Sequence, residues 1–258
     1  MTVAIIGGTG LYQMPGLETE SQVVETRFGD ALVFVGKGNS QDLVFIPRHG
    51  PDHSTPPHRI NYRANVKALE QLGVKRVLAI FAVGSLTLDV PPHSLIALDQ
   101  ILDFTHDRPN TFYDGGASGV GHADMTEPFC PALRDALLAR APDHGLNIRP
   151  RGTYVCANGP RFETAAEVRL FAQLGGDVVG MTGMPEAALA RELGIHYMAL
   201  AHSINWAAGL HEQVELVTMA MEIQAAMLQL GVESLRAATL GKCKCENATY
   251  FVYPPRES

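Results

Sequence analysis

The sequence lacks several features that would assign the protein to a particular class. No run of 18 apolar residues occurs, so no transmembrane helix is expected, and no secretory signal pattern opens the chain. Basic residues are not in excess: 20 Lys and Arg stand against 27 Asp and Glu, for a formal net charge of −7. Nucleic-acid binders are usually basic. These absences predict a cytoplasmic protein with no membrane or nucleic-acid partner.

Cysteine is also scarce, with four residues in the chain: Cys130, Cys156, Cys243 and Cys245. Their spacing matches neither a common zinc pattern nor a redox C-x-x-C pair. The C-x-C at Cys243 and Cys245 could bind a metal or oxidise, but we expect spare thiols in a solvated, irregular tail covering 242–258. His49, His53 and His58 do not suggest zinc either, because prolines interrupt any helix there. No metal site is predicted.

The remaining composition is that of one globular domain. The chain has 258 residues, of which 46% are hydrophobic and 18% charged, enough for a full core. Apolar runs that end in glycine or charge alternate with segments of helical periodicity, which predicts a single α/β domain over 1–241. Predicted strands cover 3–8, 43–50, 74–86 and 94–104, and others lie within 152–164, 177–185 and 195–205. Predicted helices cover 61–73, 130–145, 164–176, 185–194 and 216–241.

Polar and glycine-rich groups follow several of these strands, where open α/β sheets usually bind ligands. Some of them suit an anion. GGTG at 7–10 lacks the G-x-G-x-x-G spacing but offers backbone N–H groups and the Thr9 hydroxyl. Arg48 and His49 add a forked cation and a titratable donor, and Thr182 lies just before a helix. The alternatives are a plain tight turn, a surface Arg–His pair and a helix cap.

Other groups at strand ends suit a flat heterocycle. Phe162 and Glu163 place an aromatic ring beside a carboxylate, and Asn205 places an amide at the end of an apolar strand. Glu163 could instead be a first-turn helix carboxylate, and Asn205 could close a turn. Together these groups predict a phosphate site, an aromatic platform and two side chains that read a base.

Eight segments in this order resemble the trimeric nucleoside phosphorylase family, and within it the 5′-methylthioadenosine phosphorylase branch. They are AIIGGTGL, RHG followed by NYRAN, VGS, FYDG, EPFCP, GPRFET, VGMTGMPEAALARELG and NWAAG. The similarity runs from about residue 3 to about 235. It implies a mixed, distorted β-sheet flanked by helices, and cleavage of a purine nucleoside by inorganic phosphate. It also implies a homotrimer and no metal or organic cofactor.

The resemblance assigns roles to individual residues. Met181 would lie under the ribose, and Phe162 would pack on the base. One departure is Phe81, where methylthioadenosine phosphorylases have a threonine. It is the only sequence support for a binding protein without turnover. Phosphate would be held by Thr9, Arg48, His49, Thr182 and the backbone of Ala82.

The base site resembles a different branch from the rest of the chain. Adenine-specific members have aspartate at the position of Asn205, whereas members acting on hypoxanthine and guanine nucleosides have asparagine there and a glutamate matching Glu163. A carboxylate only accepts hydrogen bonds, so it pairs with N1–H of a 6-oxopurine and opposes N1 of adenine. An asparagine amide can donate to O6 and N7. We therefore expect a 6-oxopurine base.

The sugar site points back to the methylthio branch. Where hypoxanthine and guanine nucleoside phosphorylases place a histidine for the 5′-hydroxyl, this chain has Met219, which packs well against a methylthio group. Ile223 would extend that wall, and His122 matches a residue that reaches a neighbouring subunit's site; Met219 and Ile223 could also be ordinary helix core. The predicted substrate is S-methyl-5′-thioinosine. The alternatives are S-methyl-5′-thioadenosine and inosine or guanosine.

Overall fold

The computed structural model describes residues 1–11, 14, 16–211, 216–241, 243–253 and 255. Five helices alternate with strands in this part of the chain: α1 (Tyr62–Gln71), α2 (Pro131–Arg140), α3 (Ala165–Gln173), α4 (Gly183–Glu192) and α5 (Met221–Ala237). The strands of its first half are β1 (Thr2–Gly7), β2 (Thr19–Thr26), β3 (Gly29–Gly36), β4 (Leu43–Pro47), β5 (Val74–Ser85), β6 (Leu95–Ala97) and β7 (Gln100–Phe104). The later strands are β8 (Val120–Ala123), β9 (Ile148–Arg149), β10 (Thr153–Ala157), β11 (Val178–Gly180), β12 (His196–Trp206) and β13 (Thr249–Tyr253).

Eleven of these strands form one mixed sheet, so the predicted α/β class with a distorted sheet is confirmed. The main path runs β2-β3-β4-β1-β5-β11-β10-β7, with β12 on the other side of β5 and followed by β6 and β9. Apolar side chains of the sheet pack against the helices on its two faces in large buried clusters. None of the helices in the described ranges is long and apolar enough to cross a membrane.

The long strand β5 creates the opening that matters for function. Along one edge it pairs continuously with β12, from Arg76 to Ser85. Along the other edge it pairs with β1 as far as Ala79 and with β11 only from Gly84. The stretch 80–83 is therefore left without a strand partner on that edge among the described residues. Backbone groups facing this gap can bind a ligand.

Several elements differ from the sequence-based expectations. The antiparallel hairpin of β2 and β3 was not predicted, and the strand expected over 94–104 is split into β6 and β7, which join different neighbours. The helix expected over 216–241 begins at Met221. The backbone before it is extended, because Val217 N–H donates to the carbonyl of Ile204 at 2.7 Å. Tertiary pairing thus overrides helical propensity there.

The described part of the C-terminal segment, 243–253, is not the irregular, solvated tail that the sequence suggested. Thr249–Tyr253 forms β13, which pairs antiparallel with β8. Cys245 is buried, with only 1% of its surface exposed, and Cys243 is half-buried. The segment gains backbone hydrogen bonds and apolar contacts with the body of the protein, which a composition-based argument could not foresee.

Candidate functional site

A cleft of about 620 Å³ opens beside the unpaired stretch of β5. Its walls come from the ends of β1, β4, β5, β11 and β12 and from the loop before α3, so residues distant in sequence meet there. Nine of the twelve residues predicted from the sequence line it: Thr9, Arg48, His49, Ala82, Phe162, Glu163, Met181, Thr182 and Asn205.

The glycine turn after β1 forms one wall of the cleft. A Cβ on Gly8 would lie 2.7 Å from the carbonyl oxygen of Ile80 and 3.1 Å from the Arg48 guanidinium. Only glycine therefore lets the turn approach β5 this closely. Thr9, at the tip of the turn, is exposed and lines the cleft.

Arg48 is held rigidly at the base of the cleft. Its Nε and Nη2 donate to the two carboxylate oxygens of Glu186 at 2.7 and 2.8 Å, and its Nη1 donates to the Ile80 carbonyl at 3.2 Å. Burial alone would lower the pKa of Arg48, but the charge of Glu186 raises it above its ordinary value. Three of the five guanidinium N–H groups are used in this way, which leaves two for a ligand.

Phe81, the departure from the methylthioadenosine phosphorylase pattern, supports the same guanidinium. The Arg48 Cζ lies 4.6 Å from the centroid of the Phe81 ring, a cation–π distance. The ring is 1% exposed and packs on Tyr154, with centroids 5.1 Å apart. Phe81 therefore fills its position with a platform for the cation, although it brings no hydroxyl.

His49 has its donor already engaged. Its Nδ1 lies 2.9 Å from the carbonyl oxygen of Thr55, and since a carbonyl only accepts, Nδ1 carries the proton. Burial, together with the nearby charge of Arg48, lowers the pKa of His49 to about 4. At neutral pH the ring is therefore uncharged in the free protein and offers Nε2 as an acceptor, whereas the sequence suggested a donor.

Thr182 precedes α4 but does not cap it. As the N-cap residue its side chain makes no capping hydrogen bond, and its N–H donates to the Tyr154 hydroxyl at 3.2 Å. Thr182 is 7% exposed and lines the cleft. The hydroxyl is thus available to a ligand, and the helix-cap alternative is excluded in this structure.

Phe162 and Met181 form an apolar part of the cleft. Phe162 is 59% exposed, an unusual state for a phenylalanine that has no ligand against it. Met181 lies against Gly159, which has a φ of +63° and where a Cβ would come within 2.6 Å of the Met181 sulfur. Because residue 159 is a glycine, the Met181 side chain has room to lie there.

Glu163 is buried with one oxygen free. It stands just before Thr164, the N-cap of α3, and the capping box there is made by Thr164 and Glu167. The first-turn alternative is therefore wrong for Glu163. Its Oε1 is buried and has no hydrogen-bond partner among the described residues, and burial raises the pKa of the carboxyl above its usual range. A buried acceptor without a partner is costly unless a ligand satisfies it.

Asn205 closes β12 at the far side of the cleft and is 5% exposed. Its Nδ2 donates to the Trp206 carbonyl at 2.8 Å, which uses one of its two N–H groups. Gly84 lies beside it, and a Cβ there would be 3.3 Å from Nδ2. Asn205 can therefore donate to one ligand atom in this orientation, either O6 or N7, and not to both as expected from the sequence.

A smaller pocket of about 250 Å³ adjoins the cleft and shares Thr9 and Ala82 with it. Met219 lines this pocket as predicted, although it lies in the extended segment before α5. His202 lines it too; the residue is 2% exposed and its Nδ1 has no partner among the described residues. The pocket is a ready place for a substituent that extends from the cleft.

Two predicted residues lie elsewhere. Ile223, in α5, is 37% exposed and lines neither pocket. His122 is exposed in β8, opposite Tyr250 of β13, and also lies outside both pockets. Within one chain, these two side chains are not part of the site.

Sequence reasoning missed Glu186, which is fully buried and positions Arg48. The Tyr197 hydroxyl donates to its Oε1 at 2.7 Å. In sequence Glu186 looks like an ordinary first-turn carboxylate, because it follows Pro185 at the start of a helix. The only available signal was the absence of any assigned counter-charge for a buried arginine.

The chain was compared with known proteins. Residues 2–236 match the model of the phosphorylase superfamily. The chain belongs to this superfamily. The 6-oxopurine nucleoside phosphorylase of Pyrococcus furiosus is 51% identical over 81% of this phosphorylase and 80% of its own length. A probable S-methyl-5′-thioinosine phosphorylase of Methanopyrus kandleri is 45% identical over 90% of this phosphorylase and 89% of its own length.

Solved structures agree. A methylthioadenosine phosphorylase from an antarctic soil metagenomic library superposes with a TM-score of 0.84 and 34% identity, covering 95% of this phosphorylase and 90% of that chain. The methylthioadenosine phosphorylase of Schistosoma mansoni, in complex with adenine, superposes with a TM-score of 0.82 and 32% identity. The match covers 90% of this phosphorylase and 89% of that chain. The predicted family, fold and enzyme class, a pentosyltransferase of purine nucleoside phosphorylase type, are confirmed.

Proposed function

We propose that this phosphorylase cleaves S-methyl-5′-thioinosine with inorganic phosphate, giving hypoxanthine and 5-methylthioribose 1-phosphate. The observation that carries the proposal is the buried Oε1 of Glu163, which lies in the same cleft as Asn205 and has no partner in the described part of the chain. The names of the relatives agree with a 6-oxopurine base, since the Pyrococcus furiosus and Methanopyrus kandleri proteins are both named for such substrates.

Hydrogen-bond complementarity selects the base. The ionised Glu163 accepts from N1–H of hypoxanthine, and the free N–H of Asn205 donates to O6 or N7. Adenine would place its N1 acceptor against the carboxylate and leave both groups unpaired. Sites built around such polar pairs reject the wrong partner by about 10⁴-fold. Phe162 supplies an exposed aromatic face on which the purine can pack.

Phosphate fits the opposite end of the cleft. The two free N–H groups of Arg48, the hydroxyls of Thr9 and Thr182 and the backbone at Ala82 converge on the gap in β5. Neutral His49 accepts through Nε2 from a protonated phosphate oxygen. Arg48 is well suited to this role, because Glu186 and Phe81 already fix its orientation.

Once both reactants are bound, the site has mainly to stabilise the charges that develop in the transition state. As the glycosidic bond lengthens, the ribose gains positive charge and the purine gains negative charge. Phosphate stabilises the positive charge on the ribose, while the N–H of Asn205 stabilises the negative charge on the purine at N7 or O6. Donors fixed before the reaction begins supply electrostatic stabilisation, and holding both reactants supplies orientation. Glu163 and Asn205 are the catalytic residues in this proposal.

The adjoining pocket would take the 5′-substituent. Met219 presents a soft, apolar thioether surface to a methylthio group. Ile223 and His122 would contribute only through an assembled trimer, in which His122 would reach a neighbouring subunit's site. We propose a cytoplasmic homotrimer acting in purine salvage, with phosphate as co-substrate and no cofactor in the chemistry.

A second candidate is a 6-oxopurine nucleoside phosphorylase that takes inosine or guanosine. One observation favours it: the pocket beside the cleft also contains polar groups. They are Thr218, Gln224 and the Nδ1 of His202, which has no partner among the described residues. These could bind a 5′-hydroxyl. The 6-oxopurine relative is also the more similar of the two named above.

A side-by-side phosphorolysis assay separates these candidates. Methylthioinosine, methylthioadenosine and inosine are compared with and without phosphate, following the free base by chromatography. The proposal expects phosphate-dependent turnover with methylthioinosine preferred to both others. Preference for inosine would identify the second candidate, and preference for methylthioadenosine would refute the base assignment. Met219→His should raise activity on inosine relative to methylthioinosine if the 5′-group occupies the adjoining pocket.

A further inference from the structure

A cluster outside the cleft brings together four side chains of the kind that bind transition metals. Cys130 precedes α2, His196 opens β12, and Cys243 and Cys245 belong to the segment after α5. One ligand atom from each lies within 4.8 Å of all the others. Three separate parts of the chain thus converge on one point, although the sequence spacing gave no zinc pattern.

The distances suit a tetrahedral ion. The Nδ1 of His196 lies 3.6 Å from the sulfur of Cys130 and 3.2 Å from that of Cys243. Zinc bonds of about 2.3 Å to sulfur and about 2.0 Å to nitrogen give a sulfur–nitrogen edge of roughly 3.5 Å in a tetrahedron. We propose that these residues form a structural zinc site with three thiolates and one imidazole. Binding releases the three thiol protons to solvent.

The surroundings of the cluster match those of zinc ligands. The other ring nitrogen of His196, Nε2, lies 3.4 Å from the carboxylate of Glu246. A carboxylate on the far side of a ligating histidine fixes the tautomer that points its lone pair at the metal. In addition, the Arg191 guanidinium donates to the Cys245 sulfur at 3.2 Å, as expected for a thiolate.

Two buried arginines also support a zinc site formed by these residues. Arg191 is 4% exposed and Arg76, which pairs with His196 across the β5–β12 ladder, is 8% exposed. In the described part of the chain, neither forms an ion pair with a carboxylate. Buried cations need a counter-charge. Three thiolates around a divalent ion carry a net charge of −1, which offsets one of these two positive charges.

The position of the cluster indicates a structural role. His196 and Asn205 are at opposite ends of β12, about 30 Å apart at the usual rise per residue. Four protein ligands leave no open position for a substrate. The ion would fasten the C-terminal segment, and with it β13, to the body of the protein. Gly194, at φ +66°, already lets Glu246 approach to 3.3 Å from where a Cβ would stand.

Metal analysis of the full-length protein tests the proposal. Wild type is purified under reducing conditions, and its zinc content is measured. The protein is then stripped with a chelator, refilled with Co²⁺ and examined by absorption spectroscopy. We expect one zinc per chain, and after refilling the thiolate-to-cobalt charge-transfer band and strong visible bands of tetrahedral cobalt. Cys156→Ala, which removes the one cysteine outside the cluster, should keep both.

Two variants make the test specific. Cys243→Ala changes only a half-buried ligand and should abolish stoichiometric zinc. The fall in Tm on chelation that we expect for wild type should be absent from this variant. Glu246→Gln, at an exposed side chain, should weaken Co²⁺ binding by about 10–100-fold. Fully reduced wild type with four free thiols that binds neither ion would overturn the proposal. So would a disulfide between cluster cysteines whose reduction restores no metal binding.

Discussion

Replacing Glu163 by glutamine is the most direct test of whether this residue selects a 6-oxopurine base. The substitution keeps the size of the side chain and removes its charge. In the structure the carboxylate is buried, its Oε1 has no partner within the residues that the structure describes, and it does not cap α3. A change in substrate preference would therefore report on contact with the base rather than on loss of a structural hydrogen bond.

The expected magnitude follows from the hydrogen bonds involved. A bond to a charged acceptor contributes about 1.5–3 kcal/mol and one to a neutral acceptor about 0.5–1.5 kcal/mol. Glu163→Gln should thus lose about 1–2 kcal/mol in kcat/KM for methylthioinosine. For methylthioadenosine it should gain, because a glutamine N–H can donate to N1. The ratio of the two should move by about 10²-fold toward adenine.

The pH profile gives an independent readout. Burial raises the pKa of Glu163, so the ionised form is lost as pH falls through a value above that of an ordinary glutamate. Wild-type kcat/KM for methylthioinosine should fall on that acidic limb, and Glu163→Gln should lack it. Glu25→Gln, at an exposed position on β2, serves as the control. An unchanged substrate ratio together with an unchanged acidic limb would refute the role given to Glu163.

Two further predictions concern stability. Glu186→Gln leaves the Arg48 charge buried without its partner, so the free energy of unfolding in urea should fall by about 3 kcal/mol and the KM for phosphate should rise; a loss below 1 kcal/mol would contradict the pairing. Burial lowers the pKa of His202 to about 4, so between pH 6.5 and 4 the unfolded chain binds a proton that the folded chain does not. As the pH falls from 6.5 to 4, this difference should lower the free energy of unfolding by up to about 3 kcal/mol. His49, whose pKa is also lowered to about 4, adds a similar loss, so His202→Leu should reduce the slope of the urea midpoint against pH by about half and not abolish it.

The main features of the fold could be read from the sequence because local patterns and tertiary structure agree there. The run at 3–8 and most of the run at 74–86 are apolar, as expected of strands buried on both faces, and both form strands of the main sheet. The hairpin of β2 and β3 was missed because most of β2 is exposed and polar. The strand β13 was missed because its pairing with β8 spans more than a hundred residues, which no local pattern records.

The site was predictable to the extent that its residues follow strands. Arg48, Thr182 and Asn205 could be singled out because the sheet brings strand ends together. The direction of a hydrogen bond could not be predicted, since it depends on neighbours chosen by the fold. His49 has its N–H on the Thr55 carbonyl, and Asn205 has one N–H on the Trp206 carbonyl. Both side chains therefore offer a ligand less than their residue type suggests.

Because Asn205 has only one N–H left for a ligand, we expect Glu163 to contribute more than Asn205 to the selection of the base. An asparagine amide carries both a donor and an acceptor, so a flipped Asn205 could serve either a 6-oxopurine or adenine. An ionised carboxylate can only accept, and the Oε1 of Glu163 has no competing partner among the described side chains and backbone. Asn205→Asp alone should consequently change the preference between methylthioinosine and methylthioadenosine less than Glu163→Gln does. Equal or larger shifts from the asparagine variant, measured in the same phosphorolysis assay, would place base selection at the end of β12 instead.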